Sequence, residues 1–323
     1  MILRRPVAAL GRFFFAEVGA ETLCCFRLLF GIFFVGQLLG LAPLLLTYFP
    51  EGAPIPVDAA LAHYGRGAGT VLSIVRTPAG VILLYFATLI IAVCAAAGLT
   101  IRLTIPLTLI AFLQWRNAAL FIWDGGDIVS TTILYHLSLA ALAGYGNQCY
   151  AIDTILRRRH AKVAQTFATI PAWPLRLLQV QLCLIYFFSA WYKTQRPDWQ
   201  TGEAVHYVVQ QLTWSRIDLT WISSLPALAA LLSYLVLAFQ MSFPFLVWVR
   251  EMRPLMLWSA VIFHATIELT MSIFAFSVMI LYPLVFVHPD TVRAWVERFK
   301  ELGHRSMASL HHRKTRMLGF QKP

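Results

Sequence analysis

Charge is what this chain has least of. Only 13% of its 323 residues are Asp, Glu, Lys or Arg, whereas 59% are hydrophobic; a soluble domain carries about 25% charged residues. The apolar excess is gathered into long runs, which excludes a water-soluble domain and a disordered chain alike. Carboxylates are the rarer sign, 15 against 26 Lys and Arg, leaving a net charge of +11. HExxH, P-loop and glycine-rich dinucleotide signatures are missing, and with them the commonest motif-borne chemistries. Cys24, Cys25, Cys94, Cys149 and Cys183 form no CxxC pair. They read as small buried hydrophobes, giving no disulfide framework and no zinc site, so no metal is expected. No internal repeat is evident, which makes a repeat-built transporter the least favoured function.

What is present is membrane-spanning sequence. A hydrocarbon core about 30 Å thick takes roughly 20 helical residues. The runs of that kind are Cys24–Tyr48, Ala79–Leu99, Leu103–Trp123, Asp127–Gly144, Trp173–Tyr192 and Ile222–Val249. The last run, Pro254–Val287, would extend about 50 Å as one helix. It is expected as two short segments, or one crossing plus a re-entrant piece, broken near Thr270–Ser272. Residues 1–20 fall short of a span, carry Arg4, Arg5 and Arg12 between apolar residues, and lack a small-residue cleavage site. An amphipathic helix lying in the interface is expected there. The predicted fold is all-α, a polytopic helical bundle with seven to eight membrane segments across residues 21–288, followed by a basic tail, 289–323.

Basic residues set the orientation. With the N-terminus in the cytoplasm, the inner regions hold Arg4, Arg5, Arg12, Arg102, Arg157–Arg159, Lys162, Arg250 and Arg253; the outer ones hold Arg66, Arg76, Lys193, Arg196 and Arg216. The tail after Pro289 carries Arg293, Arg298, Lys300, Arg305, Arg313, Lys314, Arg316 and Lys322. The positive-inside rule puts it in the cytoplasm, which requires an even number of crossings. Eight satisfies both constraints. In the tail Val292, Trp295, Val296, Phe299 and Leu302 recur at helical spacing, as in an amphipathic helix on anionic membrane lipid. That reading accounts for the basic tail without nucleic acid.

A charged side chain at membrane depth costs at least about 2.5–3.5 kcal/mol, so such residues are the best pointers to chemistry. They are Arg27, Arg116, Asp124, Asp127, His136, Lys193, Gln240, His264 and Glu268. Arg27, one turn into the first span, is expected to snorkel to the headgroups, with internal pairing as the alternative. Asp124-Gly125-Gly126-Asp127 makes a tight reversal in which Asp127 caps the next helix. Lys193 ends the fifth span shortly before Trp199. It reads either as an interfacial lysine reaching headgroups or as a base in a water-poor pocket. His264 and Glu268, four apart, share one helical face about 15 and 21 Å from the cytoplasmic side. Both approach the outward half of the membrane, where Asp127 and Lys193 also fall. A packed salt-bridge network accounts for that convergence as well as an active site does.

Together these pieces resemble the HTTM family (horizontally transferred transmembrane domain), which includes the membrane domain of vitamin K-dependent γ-carboxylases. The matching residues run in order over roughly residues 20–290. They are Phe26-Arg27-Leu28-Leu29-Phe30-Gly31, then Gly98-Leu99-Thr100-Ile101-Arg102, then Arg116-Asn117 with Gly125-Gly126-Asp127. Gln181, Tyr186, Lys193, Trp199 and Gly202 follow, and last Phe263-His264 with Phe274, Phe276, Ser277 and Met279. The resemblance implies a bacterial cell-membrane protein with Lys193 as a base, His264 and Glu268 orienting it or the substrate, and Asp127 on the opposite wall. Arg116, Tyr186 and Trp199 would line a site for a reduced quinone. Gly-Gly-Asp stands where carboxylases resemble Asn-Asn-His, Gln240 stands where an acidic residue is common, and no large lumenal region follows residue 288. The same features resemble the sporulation-delaying-protein maturation factor of bacilli, which implies an exported peptide substrate. A non-catalytic lipid- or quinone-binding protein, or a partner in peptide maturation or export, is the alternative to an enzyme.

Overall fold

The structure, a computed structural model, describes residues 4–53, 70–118, 122–161 and 168–302. Arg66, Lys162 and the tail cations from Arg305 onward lie outside the described residues. Helices dominate: α1 (Arg4–Phe15), α2 (Glu21–Leu41), α3 (Pro78–Ala97), α4 (Ile101–Ala118), α5 (Gly125–Leu142), α6 (Ile152–Ala161), α7 (Trp173–Thr194), α8 (Ala204–Val209), α9 (Pro226–Leu246) and α10 (Arg253–Thr270). After α10 the chain continues as short 3₁₀ and α turns over Phe274–Phe286, bends by 111°, and enters α11 (Pro289–Leu302).

Four of these helical stretches are long and apolar enough to cross a bilayer: Glu21–Tyr48, Pro78–Ala97, Trp173–Thr194 and Pro226–Leu246, with Phe274–Leu302 a fifth if the bent pair counts as one. That is fewer than the seven to eight segments expected. The helices α4, α5 and α10 are each 18 residues long, at the short end for a span. They carry Arg116, Asp127, His136, His264 and Glu268, so polar side chains dilute their apolar character. The all-α expectation also needs one amendment. Glu17–Gly19 pairs antiparallel with Thr169–Pro171, a ribbon joining the entry to α2 with the entry to α7. Three residues per strand are too few for alternation to show in sequence.

Helix ends follow local chemistry. Thr77 caps α3 by accepting from Gly80 N–H at 3.2 Å, with Pro78 in the first turn, and Gly98 closes the helix at φ +73°, a conformation that favours glycine. The bundle has two ends. At the first, which carries both described termini, the Phe13 and Trp248 rings are 5.5 Å apart, Thr22 Oγ1 donates to Val287 O, and Arg293 grips Glu21 Oε1 at 2.6 Å. At the other, Gln37 bonds Asp127, and Glu268 meets Arg216. Between them runs an aromatic spine. Phe26, Phe30 and Phe34 follow each other four apart along α2, flanked by Tyr282 and Phe112 at ring separations of 5.6 and 4.9 Å.

Arg27 does not snorkel. It is 2% exposed. Its guanidinium donates to Gly146 O, Ala95 O, Ala96 O and Tyr150 O at 2.6–2.9 Å. The physical reason is the end of α3: helix-terminal carbonyls lack full intrahelical bonding, Ala95 O having only the Gly98 N–H, and the five-donor fork of an arginine answers several acceptors at once. The bond to Tyr150 also holds that residue at φ +53°.

Candidate functional site

The end away from the termini gathers most of the polar residues singled out above. On α7, Tyr186, Ser189 and Lys193 fall three and four apart, hence on one face. Lys193, half-buried, donates to Ser189 Oγ at 2.6 Å, and Ser189 Oγ donates in turn to Gln240 Oε1 at 3.3 Å. Chain reversal after α7 lays Trp199 over the ammonium, 5.3 Å from the ring centroid, within cation–π range. Among the described residues no carboxylate makes an ion pair with Lys193.

Two turns back from Lys193 along α7, Tyr186 OH lies 2.9 Å from His264 Nε2 on α10. The two side chains are 1% and 2% exposed. They sit among aromatic rings: Phe243 at 4.3 Å and Phe239 at 5.2 Å from Tyr186, Phe276 at 5.2 Å from His264. His264 Nδ1 is buried with no hydrogen-bond partner among the described residues. If the phenol donates to Nε2, the ring proton resides on Nδ1, so this pair presents one unanswered N–H. Lys193 lies near enough to the imidazole for their charges to interact.

Glu268 does not join Lys193. Its carboxylate accepts from Arg216 Nη2 at 2.9 Å and from Ser277 Oγ. The loop before α9 delivers that arginine: Arg216 N–H donates to Thr270 O at 2.8 Å, and Ser272 N–H donates to Trp214 O at 2.7 Å. Glu268 therefore pins the loop and the Phe274–Ser277 turn against the end of α10.

Asp127 forms a different cluster. Together with Asp124 it makes a capping box at the start of α5, accepting Asp124 N–H at 2.7 Å. Its second oxygen accepts from Gln37, whose carbonyl accepts from Ser130 at 3.0 Å. Arg116 donates to Thr131 Oγ1 at 3.0 Å rather than to Asp127, and Thr131 Oγ1 donates to Asp127 O at 2.7 Å. The two clusters touch through Phe276. It packs on His264 on one side, and on the other a Cβ at Gly126 would lie 2.1–2.3 Å from the backbone of Ala275 and Phe276. Only a glycine permits that approach.

Sequence reasoning missed Ser189 and Gln37, and named Arg216 and Ser277 without foreseeing that they meet Glu268. Ser189 is four residues before Lys193 and helical spacing points to it; Gln37 is an amide inside an apolar run, a signal as strong as Gln240. The pairing of Arg216 and Ser277 with Glu268 has no local signal, because only the packing of the loop and of the 274–277 turn on α10 brings them there. Among the described residues no three His, Cys, Asp or Glu side chains are grouped to hold a metal.

Apolar helices of bilayer length, packed around polar groups in their midst, define an integral membrane protein of the polytopic helical class. The match to the HTTM domain covers residues 15–291, most of the chain, and the chain belongs to that family. This bears out the resemblance carried by the Arg27, Gly-Gly-Asp and Lys193 segments. No curated protein and no solved structure matches it.

Proposed function

We propose that this HTTM protein is a membrane enzyme in which Lys193 removes a proton from an apolar, oxygen-bearing substrate, best met by a reduced quinone. The observation that carries the reading is the unanswered His264 Nδ1, buried in an aromatic cage within electrostatic reach of a lysine that has no carboxylate partner. A buried donor without an acceptor is costly and asks for an explanation. An oxygen of a quinol ring supplies that acceptor, and the surrounding Phe239, Phe243 and Phe276 suit a flat apolar ring. In this assignment Lys193 is the base and Ser189 with Trp199 position its amine. His264, oriented by Tyr186, donates toward the oxygen on which negative charge develops. Glu268 and Asp127 are positioning residues that hold the walls, and Arg116 supports the Asp127 wall through Thr131.

The same proposal extends to topology. The contacts at the two ends alternate along α2, α3, α4, α5, α7, α9, α10 and Phe274–Phe286, which supports eight passages with both termini cytoplasmic and Lys193 outward.

The test uses the full chain in lipid nanodiscs with a short-chain naphthoquinol under air. A quinol deprotonated by a base is oxidised by dioxygen to the quinone with release of hydrogen peroxide, and absorbance follows its loss. A general base contributes typically about 10²–10⁴-fold, so Lys193→Met should lower the protein-dependent rate by about 100-fold. An unchanged rate in a folded Lys193→Met protein ends the assignment. Quinol left untouched, while a co-expressed exported peptide changes mass only with Lys193 present, moves the substrate class to peptides.

A further inference from the structure

Two clefts meet at the end of the bundle that carries the termini, far from Lys193. One, of about 450 Å³, opens beside the β-ribbon and is polar: Arg176, Arg253, His288 and Arg293 face it together with Glu17 and Asp290. The other, of about 620 Å³, runs between α10, the Phe274–Phe286 segment and α11, and its floor is apolar, formed by Leu257, Val261, Leu281 and Leu284. They share Arg253, Phe286, Val287 and His288, so a polar chamber and an apolar trough form one continuous site. Arg250 also lines the trough.

The charges in the chamber are unevenly matched. Arg293 is held by Glu21 and Asp290, and Asp290 also meets His288. Glu17 accepts from Thr169. Arg176 and Arg253 have only neutral partners: Arg176 donates to Phe13 O and Gln179 Oε1, Arg253 to Val247 O and Trp248 O. Among the described residues neither makes an ion pair, yet their guanidiniums are near enough for the two like charges to interact. Arg176 is also pressed on the Phe13 ring at 4.6 Å, which fixes its plane. Two like-charged forks held together, each with donors to spare, are a bidentate anion receptor.

We propose that this composite cleft binds one anionic phospholipid, its phosphate between Arg176 and Arg253 and one acyl chain in the trough beneath Trp258. Charge complementarity selects the headgroup, and the adjoining apolar floor selects a lipid over free phosphate. Located where α1, α7, α10 and α11 converge, the lipid would tie the terminal helices to the bundle. The inference is independent of the Lys193 assignment.

The experiment is quenching of tryptophan fluorescence in the full-length detergent-purified protein by dibrominated phosphatidylglycerol or dibrominated phosphatidylcholine. The expected result is about a tenfold preference for phosphatidylglycerol, because both lipids offer the phosphate but the fixed cation of choline is repelled by the arginines around the chamber; a factor of ten corresponds to about 1.4 kcal/mol. In Arg176→Gln/Arg253→Gln the preference should fall below about twofold, while Arg298→Gln, on exposed α11, should keep it. Val261→Phe, which fills the trough and spares both arginines, should weaken lipid binding and guards against misfolding of the double variant. Equal quenching by both lipids in the unaltered protein, or an undiminished preference in the double variant, overturns the proposal. So does displacement of the lipid by inorganic phosphate at equal concentration, which would mean an anion site with no use for the trough.

Discussion

Arg27 and Lys193 are both cations inside membrane-type helices, and neither makes an ion pair among the described residues; their surroundings differ in one respect. Arg27 is closed on all sides, each of its nitrogens committed to backbone carbonyls at 2.6–2.9 Å. Lys193 is half-open, with one short bond to Ser189, a longer approach of 3.5 Å to Ser189 O, and an aromatic face. A saturated cation has nothing left to offer a substrate and everything to lose if removed. An unsaturated one contributes little to folding and keeps its reactivity. The comparison teaches that rarity of charge at membrane depth does not by itself mark chemistry; the degree of satisfaction does.

The sharpest way to break that contrast is Arg27→Ala. It strands the carbonyls of Ala96, Gly146 and Tyr150, while Ala95 O keeps the Gly98 N–H, and each buried polar group left unanswered costs about 1–3 kcal/mol. Thermal unfolding in detergent should show a large fall or loss of the folded peak in size exclusion; a near-native midpoint would mean that saturation is not structural. Next comes Gly126→Ala. Its new methyl would collide with backbone at Ala275, and overpacking costs about 1–3 kcal/mol, read as a lowered midpoint and as weaker attachment of the 274–277 turn in hydrogen exchange. Tyr186→Phe should cost about 1–2 kcal/mol, because it leaves both nitrogens of His264 unanswered in a buried setting. The same variant should slow quinol loss without abolishing it, which distinguishes an orienting tyrosine from a base. Arg216→Gln breaks a half-exposed pair with Glu268 and should shift stability by less than about 1 kcal/mol. Smallest of all, Lys193→Met should leave the unfolding midpoint within about 0.5 kcal/mol of the parent, since substitutions away from saturated networks are near neutral. A Lys193 variant as damaged as the Arg27 one would erase the distinction between the two cations.

Much of the fold could be read in advance. Apolar runs located α2, α3, α4, α5, α7 and α9 but gave no sign of the short α6 and α8, and the 254–287 run does break after Thr270, where Met271 leaves the helix to bridge Ser215. A capped turn was visible in Asp-Gly-Gly-Asp, but the N-cap is Asp124 and not Asp127, which sits at the third helical position and reaches back to Asp124 N–H. The cytoplasmic-headgroup reading of Arg27 was mistaken because its partners are backbone carbonyls, which every residue has and no residue type announces. Glu268 shared a helical face with His264 but not a partner: at i and i+4 the two side chains neighbour each other, yet Arg216 arrived from a loop whose path no periodicity encodes. The two-stranded ribbon and the composite cleft beside it were invisible for the same reason.

Hydrophobic runs and rare charges were enough to say that this chain is a polytopic membrane protein and to name the side chains worth watching; the HTTM family was legible only in the order of particular motif residues, from Phe26-Arg27 to Phe263-His264. Those are one-dimensional properties, set by the length of a bilayer and the cost of stripping water from a charge. Which of those side chains is satisfied, and by what, was decided by tertiary packing alone. Hydrogen-bond partners of a buried cation come from carbonyls and hydroxyls far along the chain, and only the crossing of α2, α3, α7 and α10 determines who meets whom.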